Sequence, residues 1–350
     1  MKNILYFLLL ITLSQYSQDQ INDTIQGTKQ NLDEVIIQSV RVKYSSPITH
    51  SNVSKSDLSS KNLGQDLPVL LTFLPSIVTT SDAGAGIGYT GIRIRGVSAQ
   101  STNITINGIP FNDPESHGTY WVNLPDFTSS VENLQVQRGV GTSTNGSGAF
   151  GASINILTDA ISKNPFAEIS NSVGSYNTLK HTVKFSTGQL NDSFELSGRL
   201  SKIDSDGYID RAYSDLKSYF LQAAYSKGNT LIKALTFGGH EKTYQSWYGV
   251  SKEELLENRR QNPYTYENEI DNYKQDHYQF HWNQKLNERW STNLGLNYTY
   301  GRGYFEQYRE DDSIDTYGGI LVSDLDQQGN KTVDAQSVAH LVIVLFIVLG

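Results

Sequence analysis

From Ala160 onward, apolar and polar residues alternate with a period of two, which is the pattern of a β-strand with one apolar face. Between residues 277 and 283, for example, Tyr278, Phe280 and Trp282 alternate with histidine, glutamine and asparagine. The alternation predicts about seven strands, near residues 166–174, 178–188, 194–203, 217–226, 230–240, 273–286 and 290–301.

The links between these strands differ in length. Short links at Gly188–Ser193, Ser226–Asn229 and Leu286–Arg289 interleave with long polar links at Asp204–Leu216 and His240–Asn272. This places short turns on one rim and long loops on the other, as in outer-membrane barrels, whose long loops are extracellular and whose short turns are periplasmic. A soluble sandwich also alternates, so a single strand does not decide between the two architectures.

Between residues 41 and 160 the predicted strands are shorter and the glycines more frequent. Asn107-Gly108 predicts a two-residue type I′ hairpin, and Asn62–Leu71 predicts a helix with Asn62 as its cap. Four short strands and one or more small helices would form a compact α+β unit. Its predicted core positions are Leu70, Leu71, Ile92, Ile94, Ile104, Ile106, Leu134, Val136, Ile154 and Ile156.

Both chain ends carry apolar runs. Lys2 precedes the run Ile4–Leu13, which is too short to span a bilayer and predicts a cleaved signal peptide over residues 1–17. At the other end, Leu341–Leu349 is continuously apolar, so it neither alternates nor is long enough for a transmembrane helix. Residues 338–350 are therefore expected to be an anomalous tail outside the fold, left by a truncation or a frameshift.

Composition narrows the class of protein. The chain has 29 Gly, 21 Tyr and 13 Phe but no Cys, which excludes a disulfide framework and thiolate metal sites. Its formal net charge of −8 argues against a nucleic-acid partner, since phosphate binding needs a basic face. Abundant Tyr with modest hydrophobicity suits an outer-membrane barrel, whose aromatic residues collect at the lipid interfaces.

Four segments carry a family resemblance: GIRIRG, NITINGIPF, VENLQVQRGVG and GSGAFGASINILTD. Their order and spacing between Gly91 and Asp159 resemble the plug domain of TonB-dependent outer-membrane receptors. The resemblance implies an α+β plug domain over residues 41–160, followed by an antiparallel transmembrane β-barrel that begins within residues 161–337. About seven strands fit here, whereas plugged transporters of this kind use about 22, so the barrel is expected to be incomplete. Open strand edges are untenable in lipid, and the chain alone is expected to be non-functional.

A periplasmic segment, residues 18–40, precedes the predicted plug and contains the run LDEVIIQSV. The resemblance implies a TonB box here, an extended segment that pairs with a strand of TonB and its inner-membrane motor complex. Its predicted TonB-binding residues are Leu32, Asp33, Glu34, Val35, Ile36 and Ile37. The alternative is an ordinary first β-strand. The short spacer after the signal peptide disfavours polysaccharide-type receptors.

Arg95 and Arg138 each stand directly before a glycine at a strand end. In similar receptors the corresponding arginines face the barrel wall and pair with carboxylates, which implies a plug–barrel lock. The sequence departs from the family pattern at Gln137 and Val140, where Glu and Pro are usual. The alternative is that both arginines are simply solvated.

His117, Tyr120 and Trp121 lie in the polar and aromatic loop Asn112–Asp126. They would face a bound ligand at the plug apex or, alternatively, pack against the plug core or barrel wall. His277 and His281 would share one face of a strand at a separation of roughly 13 Å, too far for one metal ion. No metal site is predicted.

These features predict a TonB-dependent receptor in the outer membrane of a Gram-negative bacterium. The resemblance implies that the cargo is a scarce small molecule, an iron complex (siderophore or haem) or a vitamin-like compound. TonB, outer-membrane lipid and the small-molecule ligand are the expected partners, with no cofactor. The alternatives are an oligosaccharide or peptide importer, or a passive porin or adhesin. An enzyme is not expected, because no catalytic constellation can be singled out.

Overall fold

The computed structural model describes residues 41–42, 47–140, 150–287, 289–309, 324–325, 331–332 and 341–349. The predicted signal peptide (residues 1–17) and the predicted TonB-binding residues 32–37 lie outside these ranges.

The predicted plug segment, residues 41–160, has seven strands among its described residues. They are β1 (His50–Ser54), β2 (Ile77–Ser81), β3 (Thr90–Ile94), β4 (Thr102–Ile106), β5 (Ile109–Pro110), β6 (Val131–Arg138) and β7 (Ala152–Thr158). Five of them form one sheet in the order β1-β6-β7-β4-β5, with only the β4–β7 pair parallel. Strands β2 and β3 form a separate antiparallel pair. The sequence had predicted four of these strands and missed the others.

The core of the plug segment follows from register. Ile154 lies opposite Ile104 on β4 and Val136 on β6, and Ile156 lies opposite Ile106 on β4 and Leu134 on β6. All six apolar side chains are at most 1% exposed. The predicted core positions are confirmed, since all of them belong to one buried apolar cluster. The predicted type I′ hairpin is also confirmed, because Asn107 and Gly108 both have positive φ between the paired residues Ile106 and Ile109.

The predicted helix over Asn62–Leu71 is wrong in its start and its cap, and only its last part is helical. The structure instead has α1 (Lys55–Ser59) and α2 (Leu67–Leu70), with Asp66 at the N-cap of α2. Gly64 interrupts the predicted span with a φ of +123°, which is far from helical geometry. The Asn62 side chain does not cap a helix, because its amide donates hydrogen bonds to Asp126 and Ser129.

A second, long sheet follows. Its strands are β8 (Phe166–Gly174), β9 (Thr178–Ser186), β10 (Phe194–Ser205), β11 (Ser214–Lys227), β12 (Thr230–Tyr244), β13 (Ile270–Lys285), β14 (Ser291–Arg309) and a C-terminal strand. Each strand pairs antiparallel with the next, so the seven predicted strands are confirmed with somewhat different ends. The outermost strands of the described sheet are not paired with each other, and the sheet stays open.

The two faces of the long sheet are opposite in character to those of a soluble protein. Large apolar residues on the outer face are exposed, as Leu200 is at 63% and Leu296 at 55%. Charged and polar residues on the inner face are buried against the plug segment, as Lys180, Arg199 and Gln222 are. This is the polarity of an outer-membrane barrel, apolar towards lipid and polar towards the lumen.

The C-terminal run differs from the expectation of a tail outside the fold. Two short strands, β15 (Asp324–Leu325) and β16 (Lys331–Thr332), pair with each other, and β17 (Leu341–Leu349) then pairs along β14 from Gly301 to Arg309. β-Branched and large apolar residues favour strand geometry, and the edge of β14 offers unpaired backbone groups. The predicted truncation or frameshift stays a prediction.

The links confirm the predicted difference in length only in part. Residues 187–193, 228–229 and 286–290 join β9–β10, β11–β12 and β13–β14 on one rim, and residues 175–177, 206–213 and 245–269 join β8–β9, β10–β11 and β12–β13 on the other. The second rim carries the longest link, residues 245–269, but also a short one. The longest link contains α3 (Lys252–Glu257). No helix among the described residues is long and apolar enough to cross a membrane.

Candidate functional site

A cavity of about 890 Å³ lies between the plug segment and the long sheet. On the plug side it is lined by Tyr89 and by most of the loop 110–120, and on the sheet side by residues of β12, β13 and β14. Trp247, from the long link 245–269, closes one side. The cavity therefore lies towards the rim that carries the long links.

The plug loop is held in shape by two short polar side chains. Asn112 accepts a hydrogen bond from the Ile104 backbone N–H at 2.7 Å and donates to the Thr102 carbonyl oxygen at 2.9 Å, which ties the loop to β4. Asp113 accepts backbone hydrogen bonds from Glu115 and Ser116, forming an Asx-type turn. The loop is thus positioned before any ligand binds.

Aromatic rings form much of the cavity wall. The Trp247 ring makes edge-to-face contacts with Tyr89, with centroids 5.4 Å apart, and with Phe305, at 6.0 Å. His277 is held at 5.0 Å from the ring of Phe111. Rings in such contacts are rigid and give a ligand large apolar area at a small cost in entropy.

Several polar atoms in the lining have no partner within the described structure. They are the Nε1 of Trp247, the Oγ1 of Thr119 and the Oδ1 of Asn123. Asn123 is 8% exposed, so its amide oxygen is almost fully removed from water. Buried polar atoms are normally hydrogen-bonded, and orphaned ones in a cavity wall are suited to meet a ligand or ordered water.

Carboxyl groups give the lining its charge. Asp113 and Glu115 lie in the plug loop, and Glu241 and Asp271 lie on β12 and β13. The Tyr89 hydroxyl donates a hydrogen bond to Asp271. Burial, together with the negative charges of Glu241 and Asp271, raises the pKa of Tyr89 well above its usual value, so this hydroxyl stays a donor at neutral pH.

The three predicted ligand-facing residues separate in the structure. Tyr120 lines the cavity and is 47% exposed. His117 is exposed but is not among the lining residues. Trp121 is 3% exposed and packs in the apolar core of the plug segment, which was the alternative account of these aromatics.

Sequence reasoning missed the other main lining residues, Tyr89, Glu241, Trp247 and Asp271. They lie in separate segments, and only the fold brings them together. The polar and aromatic character of the long link around Trp247 was the only local signal. In the described residues no group of three or more potential ligands is arranged to hold a metal ion. His277 and His281 both lie on the buried inner face of β13, at 3% and 2% exposure.

A buried ion-pair cluster joins the plug segment to the long sheet. Asp126 of the plug lies 2.7 Å from the Nζ of Lys180 on β9 and 3.3 Å from the Nη1 of Arg199 on β10. The three side chains are at most 2% exposed. Burial alone would raise the pKa of Asp126, but the charges of Arg199 and Lys180 outweigh it and hold the pKa well below its usual range.

Asp159 makes a second connection. Its carboxylate pairs with Lys184 on β9 at 2.6 Å and with Lys55 on the plug side at 2.8 Å. In both connections the plug supplies the carboxylate and the sheet supplies a cation, which is buried in the first connection and partly exposed in the second.

Arg95 and Arg138 do not form such connections within the described residues. Arg138 donates to the Pro75 carbonyl oxygen at 3.0 Å and to Ser51 at 2.8 Å, both within the plug segment. Burial and the nearby charge of Arg95 lower the pKa of Arg138. Arg95 is exposed, has a φ of 54° and forms no ion pair in this part of the chain. Their predicted pairing with barrel carboxylates stays a prediction.

Comparison with known proteins shows which family the plug segment resembles. Residues 42–153 match the family model of the TonB-dependent receptor plug domain. This part of the chain is therefore similar to the plug domain of TonB-dependent receptors. The long sheet that packs around this plug agrees with the fold of these receptors.

Individual relatives point the same way. The vitamin B12 transporter BtuB of Vibrio vulnificus is 30% identical over 193 residues, which are 54% of this chain and 29% of that protein. The ferric enterobactin receptor PirA of Pseudomonas aeruginosa is 24% identical over 209 residues, 54% of this chain and 28% of that one. This chain thus spans less than a third of either relative.

A solved structure supports the fold. The siderophore receptor PiuA from Acinetobacter baumannii superposes with a TM-score of 0.59 at 16% identity, covering 78% of this chain and 39% of that one. At this identity the likeness concerns the fold alone.

Proposed function

We propose that the chain supplies the plug and the first barrel strands of an energised outer-membrane receptor that binds a scarce small molecule in the cavity and imports it. The observation that carries the proposal is the composition of the cavity wall. Plug loop and sheet strands line it together, so a bound molecule would touch both parts at once. A ligand that contacts both can bias their relative arrangement, which is what a transport signal across the plug requires.

The position of the cavity supports the direction of transport. It lies towards the rim of long links, which are extracellular in outer-membrane barrels. The exposed apolar residues of the outer face would contact membrane lipid. A signal peptide over residues 1–17 would export the chain.

Energy would come from TonB and its inner-membrane motor through residues 32–37, which precede the plug. β-Branched residues there favour the extended form, and strand addition would supply main-chain hydrogen bonds. The cargo belongs to the iron-complex or vitamin-like class, which the known relatives BtuB and PirA represent by name.

Uptake measurements in the native host test this proposal. Radiolabelled cyanocobalamin and ferric enterobactin would be supplied to cells with the gene intact or deleted, with and without a protonophore. We expect gene-dependent accumulation of at least one probe that collapses when the proton-motive force is removed. Accumulation that persists without the force would indicate a passive porin, and no gene-dependent accumulation of either probe would count against import of this cargo class.

A further inference from the structure

The cavity contains carboxyl groups but no basic side chain of the lysine or arginine type among its described lining residues. Its acidic members are Asp113, Glu115, Glu241 and Asp271, of which the first two lie in the plug loop and the last two on the sheet. Binding sites recognise ligands by complementary charge, and a mismatch in sign costs affinity. The charge of the lining residues therefore indicates which ligand charge the cavity would favour.

We propose that the ligand is electrically neutral or positively charged, carries a broad apolar or ring-like body, and is not a polyanionic iron chelate. This inference rests on the proposed function, because it concerns the molecule that the cavity would import. The loop carboxylates Asp113 and Glu115, which are half-buried and exposed respectively, would determine this charge preference.

Strand alternation keeps the nearby cations out of the cavity. Glu241 faces inward, so its neighbour Lys242 faces the outer side of β12 and is exposed. On β13, Tyr273 and Gln275 line the cavity, and Lys274 between them instead pairs with Asp276, two residues along the same strand, at 3.2 Å. To place a cation at these positions, the strand would have to shift its register by one residue. Such a shift would move all of its side chains to the opposite face of the sheet.

The inward-facing cations elsewhere on the sheet are already in use. Lys180 and Arg199 pair with Asp126, and Lys184 pairs with Asp159. These groups hold the plug, so they are not free to neutralise an anionic ligand. An anion that entered the cavity would lose its hydration and meet carboxyl groups of the same sign.

A neutral or cationic ligand would find complementary groups. Aromatic faces such as those of Trp247 and Tyr273 attract cations and cover ring systems. The buried Asn123 amide oxygen lacks a donor, and the Trp247 Nε1 lacks an acceptor. A ligand with amide or hydroxyl groups can satisfy both without carrying negative charge.

Surface binding to de-energised cells tests the charge preference separately from transport. The probes are cationic ferrioxamine B, neutral cyanocobalamin and polyanionic ferric enterobactin, each compared with the gene-deleted strain. We expect the neutral or the cationic probe to bind at least tenfold more tightly than ferric enterobactin. Equal or tighter binding of ferric enterobactin overturns the inference, as does the absence of gene-dependent binding of both other probes.

Charge insertion gives the second arm. Asn297→Lys places a cation in the cavity lining at an exposed position of β14. We expect this variant to bind the cationic or neutral probe more weakly and to bind ferric enterobactin about fivefold or more tightly than the wild type does. Glu253→Lys is the matched control, because Glu253 lies in α3 on the same rim but outside the lining. If Asn297→Lys leaves the preference of the wild type unchanged, the inference is overturned. Energised uptake in the same cells tests the proposed function. The charge preference and the proposed function can therefore fail independently of each other.

Discussion

Replacing Asp126 with alanine should loosen the attachment of the plug to the long sheet, because two buried cations lose the carboxylate that neutralises them. Lys180 and Arg199 are 2% and 1% exposed, and Asp126 is the carboxylate they share. The same carboxylate accepts hydrogen bonds from Thr182 at 2.7 Å and Ser201 at 2.6 Å. After the substitution these groups would remain out of water without their partner.

The size of the effect follows from burial. Breaking a buried ion pair by removing one partner costs about 3–5 kcal/mol, against a total stability of about 5–15 kcal/mol for a typical domain. An exposed pair offers the contrast, since Lys202 and Asp215 are 32% and 42% exposed. Asp215→Asn should therefore cost less than about 1 kcal/mol. Asp126→Asn, which keeps the shape but not the charge, should lie between these values.

Hydrogen exchange followed by mass spectrometry measures the effect on the plug peptide 127–138, next to the substituted residue. Asp126→Ala should strongly lower the protection of this peptide against exchange. Adding Lys180→Met and Arg199→Met should restore most of the protection, because the buried cations without a partner are then removed. If Asp126→Ala changes protection no more than Asp215→Asn does, the cluster does not hold the plug and the reasoning is refuted.

The sign of the pH dependence gives a further check on the same cluster. The pKa of Asp126 is lower in the folded protein than in the unfolded chain, where it is about 3.9. Its contribution is therefore complete above about pH 4 and is lost as the pH falls further towards the folded pKa. Protection of the plug peptide should be steady from neutral pH down to this point and then fall, and the fall should be smaller in Asp126→Asn.

Three further predictions concern the plug and the segment before it. Deleting Asp33–Ile37 should abolish energised uptake but leave surface binding of ligand intact, since the segment would contact TonB and not cargo; loss of binding would contradict this. Burial raises the pKa of Asp66 to about 8, so the free energy of unfolding should decrease as the pH rises from about 4 to about 8. Asp66→Asn should therefore stabilise the plug at pH 7 by at most about 4 kcal/mol. Hydrogen exchange at about pH 4 and about pH 8 measures the pH dependence. Arg138→Ala removes hydrogen bonds to Pro75 and Ser51 and should lower plug stability by about 1–3 kcal/mol in urea unfolding, with no change expected if the arginine is only a solvated strand end.

Local pattern was sufficient for most of the strands. The alternation in the second half of the chain located all of the consecutive strands of the long sheet, because a period of two is a property of the backbone itself. The Asn107-Gly108 hairpin was equally local, since it needs only two residues that accept positive φ. The helix predicted over Asn62–Leu71 failed because Gly64 breaks it and Asn62 bonds to distant residues, neither of which a helical period reveals.

The sequence by itself therefore determined which residues alternate along each strand. Only the tertiary structure decided which face of the sheet lies inside. Leu200 and Arg199 are neighbours in one strand, and packing against the plug made the arginine the buried one because Asp126 supplies its counter-charge. The cavity depends on the same packing. Tyr89 and Asp271 are 182 residues apart, and their hydrogen bond exists because the plug sits against β13. No local pattern encodes a contact whose free energy is gained only after both segments have folded.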